Sequence, residues 1–219
     1  MSCSNRWLRM AAAIAWLLAA RTPVARALTL ADLDGGASFA AGPLTFSNFD
    51  VVASGDVSLD LADYPVQVLA DGFRISGPLS VLLGDSGTLL LSYTVSAPDA
   101  IVYGASLFAP GTTIGSGAQA WVGESILDAA SLPLASLFAF TLAGVGSDPT
   151  DAAAFDPAAM VQVVKTVHVA SGMFAALPLV DQHFFFVPEP LTLVLLTLGL
   201  GGLALWGRRH GALAPANRS

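Results

Sequence analysis

Between residues 28 and 187, apolar residues recur at every second position, in short runs broken by glycine, proline, aspartate and serine. Residues 88–96 (TLLLSYTVS) place Leu89, Leu91, Tyr93 and Val95 on one side. Residues 161–169 (VQVVKTVHV) place Val161, Val163, Val167 and Val169 on one side, and Gln162, Thr166 and His168 on the other. Successive side chains of a strand point to opposite faces of its sheet, so a repeat of two marks strands with one buried face.

Further strand candidates are 44–49, 57–61, 67–75, 101–108, 119–126, 136–142 and 183–187. The breaks between them (Asp71-Gly72, Ser76-Gly77-Pro78, Gly84-Asp85-Ser86-Gly87, Ala97-Pro98-Asp99, Pro110-Gly111) supply the positive or fixed φ of tight turns. A β/α fold needs long helices between strands. Only 28–33, as a single turn, and 151–160, as a short helix interrupted by Pro157, read as helical, and no internal period indicates a propeller or solenoid. The predicted fold is all-β: an antiparallel β-sandwich, jelly-roll-like or immunoglobulin-like, between an N-terminal signal helix and a C-terminal transmembrane helix.

Charge is segregated along the chain. All sixteen acids lie between Asp32 and Glu189. Residues 28–187 hold fifteen of them against Arg74 and Lys165, a formal charge of −13, whereas all 219 residues sum to −7. Such a domain excludes a nucleic-acid partner, which requires a basic footprint. With 54% hydrophobic and 11% charged residues, the chain is not of the disordered class.

The basic residues gather at the two ends. Arg6 and Arg9 precede an eleven-residue apolar run at 10–20. As a helix this run rises about 16 Å, well short of a hydrocarbon core of about 30 Å. Ala25 and Ala27 then stand at the two positions a signal peptidase reads, so 1–27 is predicted to be a signal peptide taken by the Sec translocon and cut after Ala27. Cys3, the only cysteine, leaves with it, and the exported chain has no disulfide or thiol chemistry. At the other end, Val187-Pro188-Glu189-Pro190 leads into an apolar segment at 191–206 and then Arg208-Arg209-His210. The prolines predict an extended hinge, 191–206 a membrane helix, and Arg208 and Arg209 a cytoplasmic end. Residues 211–219 follow as a cytoplasmic tail.

Pro188, Glu189 and Pro190, the Leu-rich segment with Gly199, Gly201 and Gly202, and the Arg208-Arg209 pair resemble the PEP-CTERM sorting signal of Gram-negative bacteria. The openings Leu30-Ala31-Asp32-Leu33 and Gly42-Pro43-Leu44-Thr45-Phe46, and the closing Gln182–Phe186 run, are similar to other chains with this tail. The resemblance implies recognition and cleavage by an exosortase at the PEP motif. It implies a transient inner-membrane anchor through one C-terminal helix, then delivery to the cell surface or an exopolysaccharide matrix. It implies no activity.

Catalytic chemistry is sparse. The exported region has only His168 and His183, and no Gly-x-Ser-x-Gly elbow, phosphate loop or dinucleotide fingerprint. Asp32, Asp34, Asp148 and Asp151 are weak calcium candidates, but no EF-hand loop is completed; two histidines without cysteine make no zinc pattern. No cofactor is expected. The sequence therefore reads as a non-enzymatic exported surface or matrix protein. The alternative is a secreted carbohydrate-binding module with an aromatic platform drawn from Tyr64, Tyr93, Tyr103 and Trp121. A secreted hydrolase would need His168 or an Asp pair in a pocket.

Overall fold

In a computed structural model, residues 27–188, together with Leu198, are described. The predicted signal segment with Ala25, the motif residues Glu189 and Pro190, the helix at 191–206 apart from Leu198, and Arg208 and Arg209 lie outside the described residues. Among the described residues no helix is long and apolar enough to cross a membrane.

The alternating segments fold as strands. In chain order they begin with β1 (Leu28–Thr29), α1 (Leu30–Asp34), β2 (Phe39–Ala41), β3 (Leu44–Gly55), β4 (Pro65–Val68) and β5 (Gly72–Ser76). Next come β6 (Ser80–Leu82), β7 (Ser86–Ser96), β8 (Ala100–Phe108), β9 (Thr112–Ile114) and β10 (Gln119–Leu127). The chain continues through β11 (Pro133–Leu142), β12 (Gly146–Asp148), β13 (Thr150–Ala158), β14 (Met160–Ala170), β15 (Phe174–Ala176) and β16 (Leu179–Pro188). A seven-stranded sheet has the order β12-β11-β10-β14-β7-β3-β2, a six-stranded sheet β1-β4-β5-β16-β8-β13, and a small third sheet β6-β15-β9. Every pairing is antiparallel.

The two large sheets share one core. Phe46 of β3 meets Phe73 of β5 edge-on at 5.4 Å and Phe184 of β16 at 5.8 Å, so rings from opposite sheets interlock. Burying each such large apolar side chain contributes roughly 1.5–3 kcal/mol. The long strands pass back and forth between layers: β5, β8, β13 and β16 lie in one sheet, and β7, β10, β11 and β14 in the other. One close approach needs glycine. A Cβ on Gly72 would stand 1.8 Å from the Gln182 carbonyl oxygen across the β5–β16 pair.

Two local expectations are corrected. Residues 57–61 do not form a strand; Asp60 Oδ1 accepts from Ala62 N at 3.0 Å and starts a 3-10 turn, Leu61–Asp63. The aspartate and serine side chains compete there with a sheet ladder. The predicted helix at 151–160 is instead edge strand β13, paired with β8. Its alanines are good helix formers, but Ala153 and Phe155 pack against the core. Pro157 falls where the register shifts between Ala154 and Ala158, a position an edge strand tolerates. The 67–75 candidate divides into β4 and β5 at a turn in which Leu69 N donates to Gly72 O.

Candidate functional site: an aromatic groove

Register builds the site. On the solvent face of the seven-stranded sheet, Trp121 of β10 stands between Phe140 of β11 and His168 of β14, and His168 faces Thr88 of β7. The next row, two residues along each strand, reads Phe138, Gly123, Thr166, and the one after it Ser136, Ser125, Val164. Because alternate residues share a face, the core-forming Val122, Ile126, Leu137 and Ala139 aim these neighbours outward.

The rings form a continuous strip. Trp121 lies 5.1 Å from the His168 ring and 5.8 Å from Phe138, and Phe138 stacks on Phe140 at 5.8 Å. Phe138 is 49% exposed, an unusual placement for a large apolar ring. Gly123 leaves a depression between Trp121 and Phe138; a Cβ there would meet them at 3.5 and 3.8 Å. The resulting open groove has a volume of about 480 Å³ and is lined also by Ser125, Ser136, Thr166 and Asp151.

Polar groups border the rings. Asp151, reaching over from β13, accepts from Phe138 N at 2.8 Å through Oδ2 and from Ala152 N at 2.8 Å through Oδ1. It thereby ties β11, beyond the stretch paired with β12, to the other sheet. His168 Nδ1 lies 3.0 Å from Thr88 Oγ1, and burial pushes the His168 imidazole below its ordinary pKa, favouring the neutral ring. A second hollow, between the loops at Ile114–Ser116 and Ala143–Gly144, is lined by uncharged residues with no ring.

Of the expected platform residues, only Trp121 belongs to this groove. Tyr64 and Tyr93 are buried in the core, and Tyr64 donates its hydroxyl to Ser58 O at 2.8 Å. Tyr103, 39% exposed, lies on the six-stranded sheet beside Phe185. Within the 184–186 run, Phe184 is core, while Phe185 faces out. Phe138 and Phe140 were not among the candidates, although they share the parity of Ser136, opposite to Leu137 and Ala139. His183 is elsewhere, with Nδ1 2.7 Å from Asp71 Oδ1.

The calcium candidates are dispersed. Asp32 closes a capping box with Thr29 at the start of α1, and Asp34 Oδ1 accepts from Val51 N at 2.9 Å. Asp148 sits on β12 opposite Phe140, in the other sheet from Asp151. Among the described residues no three His, Cys, Asp or Glu side chains gather as a metal site. At the domain's ends, Ala27 is exposed, and Pro188 is exposed and paired with Ala100.

No protein-family model matches the chain, and no curated protein matches it. Among solved structures it is similar to TmCBM61 in complex with β-1,4-galactotriose, at 14% identity over 64% of this chain and 88% of that one, with a TM-score of 0.37. It is also similar to CsCBM6-3 from Clostridium stercorarium in complex with cellobiose, at 13% identity over 63% and 87%, TM-score 0.24. A third is bacteriophage CBA120 tailspike protein 4, at 12% identity over 64% and 19%, TM-score 0.31. These likenesses concern β architecture and carry nothing about this chain's ligand.

Proposed function

We propose that this chain is an exported, non-catalytic protein that binds a neutral polysaccharide in the groove of Trp121 and Phe138, beside Phe140. The observation that carries the reading is the strip of rings that register lays across the outer face, bordered by Ser125, Ser136, Thr166 and Asp151. A sugar ring has a flat C–H face and a rim of hydroxyls. The first packs on an aromatic plane, and the second is met by hydroxyls and a carboxylate. The formal charge of −13 over residues 28–187 disfavours polyanionic glycans and leaves uncharged ones. Affinity electrophoresis tests this. In gels containing xyloglucan, galactomannan or mixed-linkage β-glucan, at least one retards the wild type, and Trp121→Ala loses at least about tenfold in affinity. Equal mobility of both proteins in every gel contradicts the reading.

The same proposal extends to sorting through Pro188, Glu189 and Pro190, held by the 191–206 helix and oriented by Arg208 and Arg209. Its support is the sequence pattern, together with strands that run from Leu28 to Pro188, the interval between the two expected cuts. The passage of consecutive long strands between sheets supports the jelly-roll-like reading over the immunoglobulin-like one. The exit at Pro188 pairs with Ala100, just after the end of β7, whose Ser96 faces Met160. His168 is eight residues further along β14, about 27 Å at ~3.4 Å per residue. A domain held at Pro188 would thus present its ring row at the far end. Mass spectrometry of surface and membrane fractions checks the sorting step. Wild type loses 191–206, and changing Pro188-Glu189-Pro190 to three alanines retains it. A wild-type protein that keeps 191–206 in every fraction overturns it.

A further inference from the structure

The chain has a single lysine, Lys165, and it is fully buried. It sits on the inward face of β14, at the parity of Val161, Val163, Val167 and Val169, directly opposite Glu124 of β10. Lys165 Nζ lies 2.7 Å from Glu124 Oε2, and neither side chain has exposed surface. The pairing is ionic in distance, and no other donor reaches either Glu124 oxygen. Across the core the same Nζ contacts Oε1 of Gln182, on the inward face of β16 in the other sheet. The buried Tyr93 hydroxyl, near enough for the Glu124 charge to act on it, also has no hydrogen-bond partner.

A buried ion pair is weak support for a fold, since well-packed apolar residues of equal volume often serve as well or better. What this cluster does assemble is a primary amine, a carboxamide whose carbonyl the amine already touches, and a carboxylate positioned to carry protons, in a site closed to water. We propose that Lys165 and Gln182 become joined after folding by an intramolecular amide bond, with Glu124 moving the protons. Glu124 takes one proton from the Lys165 ammonium. The neutral Nζ then bonds to Gln182 Cδ, and the carbonyl electron pair moves onto Oε1. Glu124 next hands its proton to Nε2 and accepts one from Nζ. As the pair on Oε1 returns, the Cδ–Nε2 bond breaks and ammonia leaves. One amide replaces another, so no oxidant, metal or cofactor is consumed. The product ties the seven-stranded sheet to the six-stranded one in a domain without cysteine.

The test is the mass and tryptic map of the purified, fully denatured protein. Between Leu28 and Pro188 trypsin can cut only after Arg74 and Lys165, and an acylated lysine is not cut. The expected wild type is lighter than its sequence by one ammonia, resists cleavage after Lys165, and carries that loss in the single peptide that starts at Ile75, where a second protease cutting between 165 and 182 leaves the two pieces joined. A folded Glu124→Gln variant keeps the ammonia and regains that cleavage. Full sequence mass with cleavage after Lys165 overturns the proposal, as does loss of water in place of ammonia, which would put the bond at Glu124. Ammonia loss that persists in Glu124→Gln removes Glu124 from the reaction. If Glu124→Gln does not fold, the wild-type mass and map still decide.

Discussion

His168 shows how a single residue can report on the whole face. Burial beside Trp121 lowers its pKa from the ordinary 6.5, so the unfolded chain binds this proton more readily than the folded one. The contribution to stability is therefore complete above pH 6.5 and is lost as pH falls through the lower, folded-state value. Thermal melts of wild type and His168→Gln should converge in their pH dependence above 6.5 and diverge below it, with the wild type losing more. Parallel curves throughout would contradict the shift. At this scale the sequence was only partly legible. His168 read correctly as outward-facing from its parity. Lys165 and Glu124 carried a parity signal as well, since each falls among inward apolar neighbours, but hydrophobic patterning gives no reason to bury a charge. The reason is spatial: the β10–β14 register sets the two face to face.

Elements were legible where both faces differed in chemistry and obscure where they did not. β7 and β14 alternate cleanly and lie where the pattern placed them. β13 is alanine-rich on both faces, so only its pairing with β8 and packing of Phe155 distinguish it from a helix. β11 inverts the usual rule, with Ala139 inside and Phe138 outside, which hid half of the groove. Two glycine substitutions separate fold from site. Gly72→Ala places a methyl 1.8 Å from a backbone oxygen and must part β5 from β16, costing about 1–3 kcal/mol or more in denaturant midpoint analysis. An unchanged midpoint would contradict that strand contact. In Gly123→Val the added Cβ meets Trp121 and Phe138 at ordinary contact distances and the branched side chain suits a strand, so the change should leave the melting temperature nearly unchanged while filling the depression and weakening polysaccharide binding. Undiminished binding by a folded Gly123→Val protein would place the ligand elsewhere.

For the molecule as a whole, the class of fold followed from periodicity and turns, because a chain of half-buried strands without long helices has few ways to cover its apolar faces. Strand order was not legible, since it depends on pairings between residues far apart, such as Asp181 with Arg74, a 2.6 Å ion pair across β16 and β5. The platform was hidden for the same reason: of the four candidate rings, two fall in the core, one on the opposite face and one in the groove only after folding. The most direct measurement of glycan binding uses Trp121, the only tryptophan between Leu28 and Pro188. Its fluorescence in residues 28–188 should change saturably on titration with at least one of xyloglucan, galactomannan and mixed-linkage β-glucan, and saturation should need more polysaccharide in Gly123→Val. A folded wild-type domain whose Trp121 emission is unmoved by all three would contradict the assignment of the groove.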